Sequence, residues 1–320
     1  MVLIDRYNRP VTALRIALTP ECNFDCVFCH NEGFVGHAKD LLTATEIARV
    51  ASILMQFGVR KVKLTGGEPM TRSDIVEITQ KLGALRPDDL AMTTNGTRIE
   101  SLATQLKEAG MMRLNISLHS LKEERFKWIT TSVRYEETLD AIRKAIEVGL
   151  TPVKLNMVLM KGYNTDEVWD MVDYAESLGG GDTAIVQFIE LVPVDIEFYR
   201  RFHYDPAHLE EELKERAVSV KIRELQNRPQ YTLPNGVKVE IVKPVHNVSF
   251  CIANNRMRIT HDGKFRPCLM RDDNMVDFMK LLRSASSDQA IADQFVKSVW
   301  VREPYYKLPE LRPAQTISVR

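Results

Sequence analysis

"ALRIALTPECNFDCVFCHNEG", residues 13–33, decides how this chain is read. The apolar run "ALRIAL" predicts a strand, and three of the chain's five cysteines, Cys22, Cys26 and Cys29, follow it within eight positions. Their loop therefore stands at the C-terminal end of the first strand, the rim where α/β barrels carry chemistry. The spacing C-x3-C-x2-C is not a helical stripe, and core packing does not require it. Three thiolates in one loop can hold three irons of a [4Fe–4S] cluster and leave the fourth iron open, which is what catalysis needs. Two plainer readings stand beside this one: a zinc site completed by His30 or His37, and chance clustering. Structural zinc sites usually pair two C-x2-C units, and no second such unit follows. The cluster is the favoured reading.

Outward from that loop, a strand–helix alternation recurs. Short runs with β-branched residues lie at 13–18, 59–65, 90–94, 112–118, 152–159 and 184–191. Amphipathic stretches fall at roughly 43–57, 72–84, 98–109, 134–149 and 165–178. Thr43 and Glu46 form a capping box for the first helix, and Asn164 with Glu167 opens the fifth. Gly58, Gly110 and Gly149 close three helices. Six strands alternating with helices imply a parallel sheet, either doubly wound or curved as a partial (β/α) barrel. After about residue 195 the pattern changes. "DIEFYRRFHYDPAHLEEELKERA" reads as exposed helix, "YTLPNGVKVEIV" as a hairpin turning at Asn235-Gly236, and residues 249–270 as a second hairpin turning at Asp262-Gly263. The expected division is 1–194 and a smaller, separately built 195–320.

Composition narrows the function. Hydrophobic residues make up 44% and charged residues 27%, as in a soluble globular protein. Acidic and basic residues balance at 43 each, which argues against an electrostatic nucleic-acid binder. No apolar run reaches the length of a membrane span, and the first ten residues carry charge, so neither a membrane anchor nor a secretory signal is expected. An odd number of sparse cysteines speaks for ligation or catalysis over a disulfide framework, in a cytoplasmic protein.

The motifs "LRIALTPECNFDCVFC", "KVKLTGGEPMTR", "TTNG", "LNISLHSL", "VKLNMVLMKGYN", "FIELVPV" and "FC…NRMRITHDGKFRPCL" occur in this order over roughly residues 6 to 280. Together they resemble the radical S-adenosylmethionine (SAM) superfamily and, within it, the GTP 3′,8-cyclase family of molybdenum cofactor biosynthesis. The resemblance implies an incomplete six-stranded TIM-like (β/α) barrel closed by a smaller C-terminal α+β domain. It implies a reducing [4Fe–4S] cluster on Cys22, Cys26 and Cys29, with SAM chelating the open iron and yielding a 5′-deoxyadenosyl radical. That radical would take the hydrogen from ribose C3′ of GTP, and C3′ would then attack C8 of the guanine.

The resemblance also implies the remaining site. Phe28 would pack near the adenine. Gly66 and Gly67 would let the main chain approach SAM, because a side chain would block it. Glu68, Thr94, Asn95, Ser117 and Val192 match SAM-contacting positions. Lys154 and Asn156 share a face of the fifth strand. A buried lysine needs an anionic partner, and SAM or the substrate would supply it for Lys154. Arg15, Lys61, Lys63, Arg256 and Arg258 match positions that contact the triphosphate. Lys63 stands where arginine is expected, and so does Gln187; His119 stands where many relatives carry aspartate.

The resemblance places a second [4Fe–4S] cluster on three C-terminal cysteines. Cys251 and Cys268 match two of them, and Asn254 occupies the middle position. The chain ends in "QTISVR" where the family usually ends in Gly-Gly. Three accounts of Asn254 stand: a cluster with another ligand, no second cluster and a different substrate, or an engineered replacement. The rival functions are a paralogue acting on another substrate and a non-catalytic iron–sulfur redox or sensing protein. The partners implied are GTP, SAM, an electron donor, a downstream pathway enzyme and a second copy as a homodimer.

Overall fold

The computed structural model describes residues 2–31, 40–284 and 286–304; His37 and the terminal "QTISVR" lie outside the described residues. Six strands come first in parallel order: β1 (Ala13–Ala17), β2 (Lys61–Thr65), β3 (Asp89–Thr94), β4 (Arg113–Ser117), β5 (Val153–Leu159) and β6 (Ala184–Glu190). Between them run α1 (Ala44–Gln56), α2 (Ile75–Gly83), α3 (Ile99–Glu108), α4 (Glu123–Thr130), α5 (Tyr135–Glu147) and α6 (Val168–Ser177). The architecture is α/β, an open and mainly parallel sheet of the incomplete-barrel kind.

Residues beyond 195 add α7 (Ile196–Phe202), α8 (Ala207–Arg216), β7 (Ser219–Ile222), β8 (Pro229–Thr232), β9 (Lys238–Val242), α9 (Val248–Ile252), β10 (Arg256–Ile259), β11 (Lys264–Arg266), β12 (Val276–Asp277), α10 (Met279–Arg283) and α11 (Asp288–Trp300). Their strands join the same sheet at both edges, in the order β12-β11-β10-β1-β2-β3-β4-β5-β6-β9-β8-β7. β10 pairs parallel with β1, and β9 pairs parallel with β6. The two predicted hairpins are the antiparallel pairs β8–β9 and β10–β11, with Gly236 and Gly263 at φ +82° and +76° in their turns. No helix among the described residues is long and apolar enough to cross a membrane.

Strand alternation divides the residues of the sheet. Leu14, Ile16, Val62, Leu64, Leu90, Met92, Leu114 and Ile116 are buried in the hydrophobic core with the inner faces of the helices. The alternate positions, Arg15, Lys61, Lys63, Arg113, Asn115, Ser117, Lys154 and Asn156, line a central cavity. α1 shows how the helices are specified. Ile47, Val50, Ala51 and Leu54 recur on one buried face, and the Thr43–Glu46 capping box is present in both directions. Gly58, Gly110 and Gly149 follow α1, α3 and α5 with φ between +75° and +101°.

One local expectation fails. Asn164 does not cap the fifth amphipathic helix. It is fully buried, accepts from the Met160 N–H (2.8 Å) and donates to the carbonyls of Val158 and His119 (2.8 and 2.9 Å), so it joins the ends of β4 and β5. Glu167 is likewise drawn inward, to Ser120, the Leu121 N–H and Arg125. A buried side chain with three good partners gains more than a half-exposed cap provides. A further helix, α4, lies outside the predicted amphipathic stretches.

Candidate active site

The cysteine loop is fastened to the rim by its neighbours. Gly67 N–H donates to Thr19 O and Glu68 N–H to Glu21 O, both at 2.7 Å. A Cβ on Gly66 would stand 2.5 Å from Thr19 O, and one on Gly67 would stand 2.1 Å from Glu21 O. Gly66 also holds φ +149°. The pair is glycine because the cysteine loop lies against it. From the other side, α4 closes the loop: Asp25 N–H reaches Thr130 O (3.2 Å), Val27 N–H reaches Ile129 O (2.9 Å), and Phe24 meets Phe126 edge-on.

Glu68 and Asn95 complete the seat. The buried Glu68 carboxylate accepts from Thr94 Oγ1 and Asn95 N–H, each at 2.7 Å, and from Met70 N–H at 2.9 Å. Burial nevertheless raises it to about 7. Asn95 Nδ2 donates to Asn23 Oδ1 (2.8 Å), and Asn23 Nδ2 donates to Thr97 Oγ1 (3.0 Å). Glu68, Thr94 and Asn95 therefore bond to one another and to the loop. Phe28 stands edge-on to His119 with ring centroids 4.7 Å apart, and burial lowers His119 to about 3, leaving its imidazole neutral.

The rim loop opens on a cavity of about 840 Å³. Phe28, Ser117 and Val192 line it, as do Gly66, Gly67, Glu68, Thr94 and Asn95. So do Arg15, Lys61, Lys63, Arg256 and Arg258, together with Cys251, Asn254 and Cys268. Register explains part of the basic wall: Arg258, Arg15 and Lys63 are paired across β10, β1 and β2. Lys63 donates to Asn115 Oδ1 (3.1 Å); burial and then Arg113, Arg15 and Arg256 push its pKa well below the ordinary lysine value. Lys154 lines the cavity too, but its anion is built in: Nζ meets Glu240 on β9 at 2.5 Å.

Sequence reasoning missed several lining residues. Arg113, held by both oxygens of Asp89 (2.5 and 2.8 Å), and Asn115 share the face of Ser117. The alternation that singled out Lys61 and Lys63 is equally present in "RLNIS". Arg223 and Arg228 carried no such local signal.

Residues 16–175 match the model described as Radical SAM superfamily, and residues 184–308 match Molybdenum Cofactor Synthesis C. A protein of Thermococcus kodakarensis named Probable GTP 3′,8-cyclase is 45% identical over 315 residues, 96% of this chain and 100% of that one. Proteins with the same name from Pyrococcus abyssi and Methanocella arvoryzae are 43% and 41% identical, covering 95% and 99% of this chain and 100% and 99% of theirs. The chain belongs to the GTP 3′,8-cyclase family of the radical SAM superfamily. It is an enzyme of that type. Among solved structures, Streptococcus suis SuiB bound to its precursor peptide SuiA aligns with TM-score 0.64 over 97% of this chain and 70% of that one, at 16% identity. At that identity the likeness is one of fold.

The donor set fits the family's cluster. Cys22 and Cys29 are exposed to the cavity and Cys26 is half-buried. Burial, then the neighbouring Cys29 and Cys22, push the Cys26 thiol above its ordinary range. Thiolates that raise one another's pKa are held ionised by a cationic metal centre. Among the described residues no three His, Cys, Asp or Glu converge as ligands of a single ion. A [4Fe–4S] cluster takes each thiolate on a separate iron and requires no such convergence.

Proposed function

We propose that this chain is a GTP 3′,8-cyclase, converting GTP to 3′,8-cyclo-7,8-dihydro-GTP with SAM as the radical source. The observation that carries the reading is that one cavity is lined by both the three-cysteine rim loop and the basic residues of β1, β2 and β10. In this reading Cys22, Cys26 and Cys29 hold a [4Fe–4S] cluster, which supplies, when bound, the electron for cleaving SAM. Phe28, Gly66, Gly67, Ser117 and Val192 shape the SAM end. Glu68, Thr94 and Asn95 act through the loop they hold. Arg15, Lys61, Lys63, Arg256 and Arg258 bind the triphosphate, since several charge-assisted contacts are needed to hold a polyanion.

The same reading divides the chain into a radical SAM part, 1–194, and a closing part, 195–320. It calls for an electron donor and for a downstream enzyme that takes the unstable product, all in the cytoplasm. A homodimer is compatible with it. A second cluster would rest on Cys251 and Cys268.

One observation favours a second reading, a paralogue acting on another substrate. Asn254 stands between Cys251 and Cys268, and its Oδ1 accepts from the Arg256 N–H (3.1 Å), so the side chain serves the β10 backbone. The deciding experiment is 5′-deoxyadenosine release from SAM by reconstituted, reduced, oxygen-free protein, with and without GTP. Release that GTP stimulates, with a cyclised nucleotide as product, is the expected result. Release indifferent to GTP overturns the substrate, and no release at all overturns the radical chemistry.

A further inference from the structure

A fully buried carboxylate, Glu240 on β9, holds together cations that line the same cavity as the basic residues of β1, β2 and β10. Its oxygens accept from Lys154 Nζ (2.5 Å), from Arg223 Nη1 (2.8 Å to each) and from Gln230 Nε2 (2.8 Å). Arg228 Nη2 stands 3.7 Å away. Lys154, Arg223 and Arg228 all line the cavity. Burial would raise the Glu240 carboxyl; Lys154, Arg228 and Arg223 outweigh it and hold it at about 2. One anion thus serves three cations.

Arg228 is the least satisfied of the three. It is 8% exposed, its Nε is buried without a hydrogen-bond partner, and its Nη1 makes a long 3.3 Å contact to Gln187 Oε1. Glu240 offers it only a long ion pair at 3.7 Å, so a further acceptor reaching it from the cavity would satisfy it. Neighbouring cations in the same cavity also repel one another. Arg113 on β4 is among the charges that disfavour Arg228, and Lys154 is among those that disfavour Lys63. Cations that line one cavity and repel one another are relieved by a polyanion bound in it.

We propose that Arg228, with Arg223 and Lys154 held on Glu240, forms the second half of a phosphate clamp with Arg15 and Lys63. The inference rests on the reading of a nucleoside triphosphate as substrate. Arg228 is the binding residue that the clamp adds, since its planar fork suits phosphate oxygens. Glu240 is a positioning residue: it fixes the cations and neutralises one of them.

The test is calorimetric titration of oxygen-free, cluster-loaded protein with GTP, with inorganic triphosphate and with SAM. Arg228→Gln is expected to weaken GTP and inorganic triphosphate by roughly 10- to 100-fold, the range of a charge-assisted hydrogen bond. SAM affinity stays unchanged. Equal affinity of wild type and variant for both anions overturns the clamp and leaves the GTP reading standing. Wild-type protein that binds inorganic triphosphate through Arg228 but gains nothing from the nucleoside keeps the clamp and overturns GTP. Wild-type protein that binds neither anion overturns both. If Arg228→Gln fails to load iron, Arg228→Lys decides: it keeps the charge and loses the fork, so a weakening confined to the two anions supports the clamp, and its absence overturns it.

Discussion

Two cysteine-bearing segments face one cavity, and they are anchored by opposite means. The loop of Cys22, Cys26 and Cys29 is held by shape: the Gly66–Gly67 turn pressed against its main chain, neutral amides at Asn23 and Asn95, and the end of α4. The region of Cys251 and Cys268 is held by charge. Arg9 donates to Cys251 O (3.1 Å), Arg302 donates to Asn254 O (2.5 Å), and the buried Asp5 pairs with both arginines. Those ion pairs tie the second segment to both ends of the described chain. A loop held by shape tolerates no added atom beside it. A segment held by charge tolerates added atoms but not the loss of an ion.

The strongest test of that contrast is a matched pair of cysteine substitutions. Cys26→Ala should reduce SAM cleavage to background, because the first loop carries the radical chemistry. Cys251→Ala should leave SAM cleavage measurable and cut its stimulation by GTP. Deoxyadenosine assays on both variants check this, and equal losses would mean that the segments do not divide the work. Next come the anchors. Arg302→Met should cost roughly 3 kcal/mol of stability by removing a buried ion and its hydrogen bonds. Gly67→Ala should cost roughly 1–3 kcal/mol through forced displacement of the Glu21 backbone. Denaturant titration measures both, and iron content separates them: Gly67→Ala should lose the metal of the first loop, Arg302→Met should not.

A smaller effect is set by pH. Glu68 belongs to the first anchor, and its carboxyl is raised from the ordinary value to about 7, chiefly by burial. A raised folded value means the native state holds the proton more tightly than the unfolded chain does. Glu68 therefore contributes stability that is complete below the unfolded value and is lost as pH rises through about 7. The slope from one such group is at most about 1.4 kcal/mol per pH unit. Metal-free wild-type protein should show this decline between roughly pH 4.5 and 7. Glu68→Gln should flatten it, whatever happens to the absolute stability, and an unchanged slope would remove Glu68 as the titrating group.

The contrast also marks what the sequence could carry. The shape-held loop was legible because cysteines, glycines and strand runs act over a few positions: "ALRIALTPEC" and "TGGEP" place both partners at neighbouring strand ends. The ionic anchoring of the second segment was not, because Asp5, Arg9 and Arg302 carry no mark in the sequence until the fold brings positions nearly 300 apart together. The same holds for Glu240, whose cations come from β5 and from the segments flanking β7 and β8. α4 escaped notice for another reason: "EERFKWIT" is short and charged, and its helix is justified by what it covers, the Cys22–Cys29 loop. Lys154 was correctly expected to need an anion, but which anion was a question of tertiary structure.

The smallest effect concerns the residue that sets the two segments apart. Asn254→Cys removes the Oδ1 that accepts from the Arg256 N–H and should cost about 1 kcal/mol. It adds a third thiol beside Cys251 and Cys268, in the cavity they already share. Reconstituted Asn254→Cys protein should therefore bind more iron per chain than wild type, while the first loop's content stays the same. If iron does not rise, sulphur number is not what distinguishes the second segment, and its ionic anchoring must itself set the geometry. If iron rises while triphosphate affinity falls, the asparagine is holding Arg256 toward the substrate. A ligand position would then have been given over to aiming a phosphate-binding arginine.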